Sequence, residues 1–170
     1  MKIAQSTPHD IEQIFELYEI ATDFQKTKFS VHWPAFERTM VETEIDEGRQ
    51  YKLLEGEQVA AVWAVAFRDP QIWKERDQDR ALYIHRIATN PAFRGRQLVK
   101  KIADWAVRYA REHQMDYVRM DTVGDNQGLI DYYQRCGFSF LGLDQLEDTE
   151  GLPAHYDKAT VSLFEIALPN

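Results

Sequence analysis

The chain has 170 residues, a single cysteine (Cys136) and 28 acidic against 20 basic side chains, a formal net charge of −8. These numbers exclude an intrachain disulfide framework and a cysteine-rich zinc site, and they argue against non-specific nucleic-acid binding, which needs a basic face. With 44% hydrophobic and 28% charged residues, the composition is that of an ordinary globular protein. The length fits one domain over residues 1–170 with room for a substantial core. The acidic surplus would either steer cationic small molecules inward or serve only solubility. No apolar run approaches the roughly 18–20 residues that cross a bilayer, and Met1–Ser6 lacks a leader's apolar stretch. A cytoplasmic protein without membrane association is the expectation.

Along the chain, Lys2–Ser6 reads as a short strand. Thr7 is placed to cap a helix opening at Pro8, a favoured first-turn residue. From there Ile11, Ile14, Phe15, Leu17, Tyr18 and Ala21 follow helical periodicity. A second helix is predicted from about Pro34 to Glu47, stopped by Gly48. Tyr51–Leu54 and Val59–Phe67 are strand-formers around a Glu55-Gly56-Glu57 turn. Asp69–Arg80 is polar, contains Pro70 and reads as a loop. Ala81–Thr89 is a further strand, and a long helix is expected from about Gly95 to His113. Asp116–Val123 is a strand, and Asn126–Cys136 a helix stopped by Gly137. Phe138–Leu146 and Ala159–Leu168 close the chain as strands. No repeat or linker divides this order. It predicts an α/β (α+β) domain with a mixed sheet flanked by helices on both faces.

The chemistry concentrates after the strand Ala81–Thr89. A glycine-containing turn that opens a helix presents unpaired backbone N–H groups and the positive end of the helix dipole, a ready site for phosphate. Arg94, Arg96, Lys100 and Lys101 add charge around that turn in an otherwise acidic protein. By itself this feature is common and names no ligand.

Two segments sharpen it. Asn90-Pro91-Ala92-Phe93-Arg94-Gly95-Arg96-Gln97-Leu98 resembles the acetyl-CoA loop of the GNAT N-acetyltransferase superfamily, Pro-x-x-Arg-Gly-x-Gly-x-Gly/Ala. Asn126-Gln127-Gly128-Leu129-Ile130-Asp131-Tyr132-Tyr133-Gln134-Arg135-Cys136-Gly137-Phe138 is similar to that family's second signature, an Asn followed seven residues later by a Tyr and then by Gly-Phe. The family's order and spacing are kept. The resemblance implies a mostly antiparallel sheet of about seven strands and an acetyl-CoA-dependent N-acetyltransferase without a metal. The acceptor would be a small-molecule or peptide amine, attacked directly. Homodimers are common among proteins that resemble this one, so a homodimer is compatible with it. A non-catalytic CoA-binding or regulatory domain on the same fold is the alternative.

The resemblance also implies roles. The pantetheine arm would lie along the strand at Ile87 and Thr89, as an added strand does, with an N–H near Ala88 polarising the thioester carbonyl. The pyrophosphate would sit on Arg94, Gly95, Arg96, Gln97, Leu98 and Val99. Asn126 would contact the pantetheine, and Tyr133 would be the acid beside the sulfur. The base stays open. His85, two residues before Ile87, has a suitable ordinary pKa and shares a strand face with Tyr83 and Thr89 by alternation, yet a structural histidine would look the same. Gln97 and Val99 stand where the family has small residues. Both are expected inside the first helical turns, which makes crowding of the phosphate, rather than positive φ, the concern.

Other residues have plainer readings. Cys136, Trp63 and Phe67 are expected in the core. Phe24, Phe29, His32 and Trp33 cluster where the resemblance puts the acceptor pocket. Glu147, Asp148, Glu150, His155, Tyr156 and Asp157 lie in a loop that would suit either a cationic amine or solvent.

Overall fold

A computed structural model describes Met1–Pro169. The strands are β1 (Lys2–Gln5), β2 (Gln50–Glu55), β3 (Gln58–Ala66), β4 (Ala81–Thr89), β5 (Tyr117–Val123), β6 (Ser139–Gln145) and β7 (Thr160–Ala167). The helices are α1 (Ile11–Lys28), α2 (Arg38–Asp46), α3 (Pro70–Trp73), α4 (Leu98–Glu112) and α5 (Gln127–Arg135). The seven strands form one sheet in the order β1-β2-β3-β4-β5-β7-β6. Pairs β1–β2, β2–β3, β5–β7 and β6–β7 are antiparallel. The pair β4–β5 is parallel over Ala81–Tyr83 and Tyr117–Arg119, and α4 supplies the crossover that a parallel pair requires. No helix of the described residues is long and apolar enough to cross a membrane.

The chain forms two compact units, one of Met1–Val65 with His85–Leu98 and the other of Ala66–Ile84 with Val99–Asn170. In the first, the Thr7 N–H donates to Asp10 Oδ2 at 2.7 Å and Lys52 Nζ donates to the same oxygen at 2.8 Å, which ties the start of α1 to β2. Ile14, Leu17 and Tyr18 then fall on one helical face and pack with Val41, Val59, Val62 and Ala88. The spacing i, i+3, i+4 makes that stripe. The run Val-Ala-Ala-Val-Trp-Ala-Val of β3 is buried throughout, as a strand covered on both faces must be.

In the second unit, Ile72, Trp73, Tyr83, Tyr156, Val161 and Leu163 belong to one core cluster. The loop predicted for residues 69–80 is therefore corrected. It contains α3 and a 3-10 turn over Lys74–Gln78, and its two large apolar residues enter the core. Here Arg119 is 1% exposed. Its guanidinium donates to Asp79 Oδ2 at 2.6 Å, Glu165 Oε2 at 2.8 Å and the Arg76 carbonyl at 2.8 Å, and it lies 4.8 Å from the Trp73 ring centroid. A buried guanidinium is tolerable only when its donors are satisfied in this way. Trp63 and Cys136 are buried as predicted, but Phe67 is 40% exposed and stacks on Tyr109 at 6.5 Å. It follows β3 rather than lying in it, so strand alternation does not apply to it.

Candidate active site

In the first unit, the part of β4 from His85 to Thr89 is not a regular strand. Arg86 has φ of +50°, a left-handed conformation that costs a non-glycine residue about 1–3 kcal/mol. The compensation is visible. The Arg86 guanidinium donates to both oxygens of Glu44 and to the Tyr18 hydroxyl, and it lies 5.5 Å from the Phe36 ring centroid. Burial would lower the Arg86 pKa, but Tyr18 and Glu44 outweigh it and hold the pKa above the usual value. Gln50 Nε2 donates to Glu44 Oε1 and to the Tyr18 hydroxyl, each at 3.1 Å. This left-handed step at Arg86, a local bulge of the backbone, lies between His85 and Thr89, so strict strand alternation does not carry from one to the other. Beyond it Ala88 is buried, while Ile87 and Thr89 are half-buried.

His85 is held neutral. Burial, then the nearby positive charges of Arg86 and Arg49, lower its pKa to about 3. An imidazole that resists protonation this far takes a proton poorly at neutral pH. That is an electrostatic obstacle to the role sequence reading gave it.

The turn after β4 is built by Asn90. Its N–H donates to the Ala60 carbonyl at 2.8 Å, its side chain donates to the Val59 carbonyl at 3.1 Å, and its Oδ1 accepts from the Ala92 N–H at 3.0 Å. Pro91–Phe93 form one 3-10 turn. Gly95 follows with φ of +81° and Gln97 with φ of +55°, and α4 begins only at Leu98. Arg94, Arg96 and Gln97 are exposed, and Arg96 approaches Glu55 at 3.5 Å. An open, basic turn that delivers the free N–H groups of a helix start fits an anionic phosphate chain.

In the second unit, Asn126 Oδ1 caps α5 by accepting from the Leu129 N–H at 2.9 Å, and the helix ends at Gly137 with φ of +107°. Tyr133 packs against Phe164 at 5.1 Å and Phe138 at 6.4 Å. Burial first, then the neighbouring Tyr132, Cys136 and Asp121, raise its pKa well above the ordinary tyrosine value. Sequence reading missed two carboxylates in this unit. Asp69 and Asp121 have oxygens within 4.8 Å of one another. Burial raises Asp121 to about 6 against the hydrogen bond from the Tyr156 hydroxyl, which spans 2.9 Å. Burial and the charges of Asp121 and Asp77 raise Asp69 to about 8. The available signal was Asp121 in the strand Tyr117–Val123, a charge two residues from Arg119 on the same face.

The sequence profile of the Acetyltransferase (GNAT) family matches residues 12–138, well over half of the chain. The chain belongs to the GNAT acetyltransferase family. It is 28% identical over 104 residues to the uncharacterized N-acetyltransferase YesJ of Bacillus subtilis, a match spanning 59% of this chain and 58% of that protein. The chain thus spans less than two thirds of that relative's length. A GNAT acetyltransferase from Listeria monocytogenes has the same fold, with a TM-score of 0.76 and 23% identity over 98% of this chain and 94% of that one. So does yncA from Salmonella typhimurium, whose structure holds its cofactor acetyl-CoA, at a TM-score of 0.69 and 13% identity over 100% and 95% of the two chains.

Within the GNAT pattern, the two departures differ in kind, and the expectation that both lie in helical turns is corrected. Gln97 precedes α4 in a left-handed conformation, so a glycine there would relieve backbone strain. Val99 lies in α4 and is 7% exposed, so its side chain is buried in the protein rather than displayed on the turn. Gln97→Gly should therefore change stability by about 0 to +1 kcal/mol, relief of strain set against a looser unfolded chain. Val99→Gly should lose about 2–4 kcal/mol from lost burial and helix propensity. Urea unfolding of both variants checks the contrast.

Proposed function

We propose that the chain transfers an acetyl group from acetyl-CoA to a primary amine by direct attack. The observation that carries this reading is the Arg94–Leu98 turn, an exposed basic entrance to a helix in a chain of net charge −8. The acetyl-CoA held by yncA, a protein of the same fold, supports the choice of donor. The backbone at Ile87, Ala88 and Thr89 would take the pantetheine and thioester. Arg94, Gly95, Arg96, Gln97, Leu98 and Val99 would take the pyrophosphate, and the Asn126 amide the pantetheine.

The amine nitrogen attacks the thioester carbonyl carbon. A C–N bond forms, the C–S bond breaks, and the amine proton passes to a base. With His85 held neutral to about pH 3, the proposed base is Asp121, whose pKa near 6 leaves it ionised yet basic at neutral pH. Tyr133 stays protonated throughout and donates a hydrogen bond to the departing sulfur. Its pKa lies above that of an ordinary thiol, about 8.5, so full proton transfer is uphill and the gain is stabilisation of developing charge.

The test is release of free thiol when protein and acetyl-CoA are mixed with a panel of polyamines, amino sugars, amino acids and peptide N-termini. One amine should give stoichiometric thiol and N-acetyl product. Tight acetyl-CoA binding with no thiol above background for any amine would favour a non-catalytic CoA-binding domain instead.

A further inference from the structure

Arg86 adopts its left-handed conformation one residue before Ile87–Thr89, and the group that holds it there comes from a different element. Glu44 lies in the last turns of α2, and its carboxylate is fixed by Gln50 as well as by Arg86. Arg49 Nη1 stands 3.9 Å from it. The Glu44 and Arg86 side chains are 8% and 11% exposed, so neither can move its charge into water. An extended φ at residue 86 would turn the guanidinium away from this fixed acceptor and leave two buried charges apart. A pair serving only to hold α2 on the sheet would not need a strained backbone at its cationic end.

We propose that Glu44 is a positioning residue, which through Arg86 locks the bulge in β4 and so sets the direction of the Ile87–Thr89 backbone groups toward the acetyl thioester. The inference rests on the acetyl-CoA reading above for its catalytic consequence. Its structural half, that Glu44 fixes the bulge, stands without it.

The test compares Glu44→Ala and the double variant Glu44→Ala/Arg86→Gly with the wild type. Glycine takes positive φ without a side-chain clash, so the double variant keeps the bulge without the lock and leaves no unpaired charge. Amide resonances of Ile87, Ala88 and Thr89 are followed together with kcat and the KM for acetyl-CoA. Glu44→Ala should displace those resonances and lower kcat by about 10–100-fold with KM within about threefold, the cost of slightly misplaced groups. The double variant should restore the resonances and bring kcat to within about threefold of wild type. If Glu44→Ala fails to fold, Glu44→Gln and Glu44→Gln/Arg86→Gly make the same comparison, since glutamine offers one acceptor oxygen in place of two. Unmoved resonances and kcat with only a lower melting temperature would overturn the proposal, as would a double variant slower than the single. A wild type that neither binds nor turns over acetyl-CoA would sink the acetyltransferase reading, and the resonances would still decide whether Glu44 holds the bulge.

Discussion

Tyr133→Phe should lower kcat by about 10²–10³-fold, the usual effect of removing one donor from a developing negative charge, and should leave the acetyl-CoA dissociation constant within about threefold. The ring contacts to Phe164 and Phe138 survive the change, because phenylalanine keeps the ring. Single-turnover kinetics beside calorimetry separate the two effects. The raised pKa of Tyr133 adds a constraint: no loss of rate from its ionisation should appear below about pH 10. An unchanged single-turnover rate in the variant would remove Tyr133 from the chemistry.

Asp121→Asn should be at least as damaging, at about 10²–10⁴-fold in kcat/KM, and should carry its own pH signature. A carboxylate base works only when ionised, so wild-type activity should fall as pH drops through about 6, the value to which burial raises Asp121. The charge of Asp121 helps to hold Asp69 up at about 8, so the limb near pH 6 belongs to Asp121 and should vanish in the variant. Stability should move the opposite way. Because the folded pKa lies above the unfolded value of about 3.9, the folded state holds the proton more tightly, and Asp121 costs stability as pH rises through about 6. Asparagine cannot ionise and still accepts from Tyr156. The variant should therefore gain on the order of 1–2 kcal/mol at pH 8 and little at pH 4. An Asn variant that keeps the limb near pH 6 would point to a different base.

Much of the fold was legible because its signals are local. The β4 limits, Ala81–Thr89, emerge as predicted, since an apolar run ends at Asn90-Pro91. The α5 limits follow from a capping Asn126 and a glycine stop at residue 137. What escaped depends on distant partners. Pro70 and surrounding charges make residues 69–80 look like a loop, yet Ile72 and Trp73 find a core built largely from β4 and β7. The left-handed conformations of Arg86 and Gln97 carry no residue signal, because neither is a glycine. The candidate site divided in the same way. The turn and the Asn126–Tyr133 spacing were readable as motifs. The carboxylates Asp69 and Asp121, 52 positions apart in the numbering, acquire their basicity from burial, to which the charges of Asp121 and Asp77 add at Asp69.

The strand order carries a consequence for how the protein is made. In the second unit β7 lies between β5 and β6, although it follows both in sequence. On the ribosome β5 and β6 must therefore wait with open edges until Thr160–Ala167 has been synthesised, and only then can the gap be filled. The same late strand brings Glu165 to the buried Arg119, whose other carboxylate partner, Asp79, is synthesised before it, so the ion-pair network in the interior is also completed last. Exposed edges and an incomplete interior ion-pair network are what chaperones and aggregation compete for, so the window before β7 arrives is where nascent chains are most vulnerable.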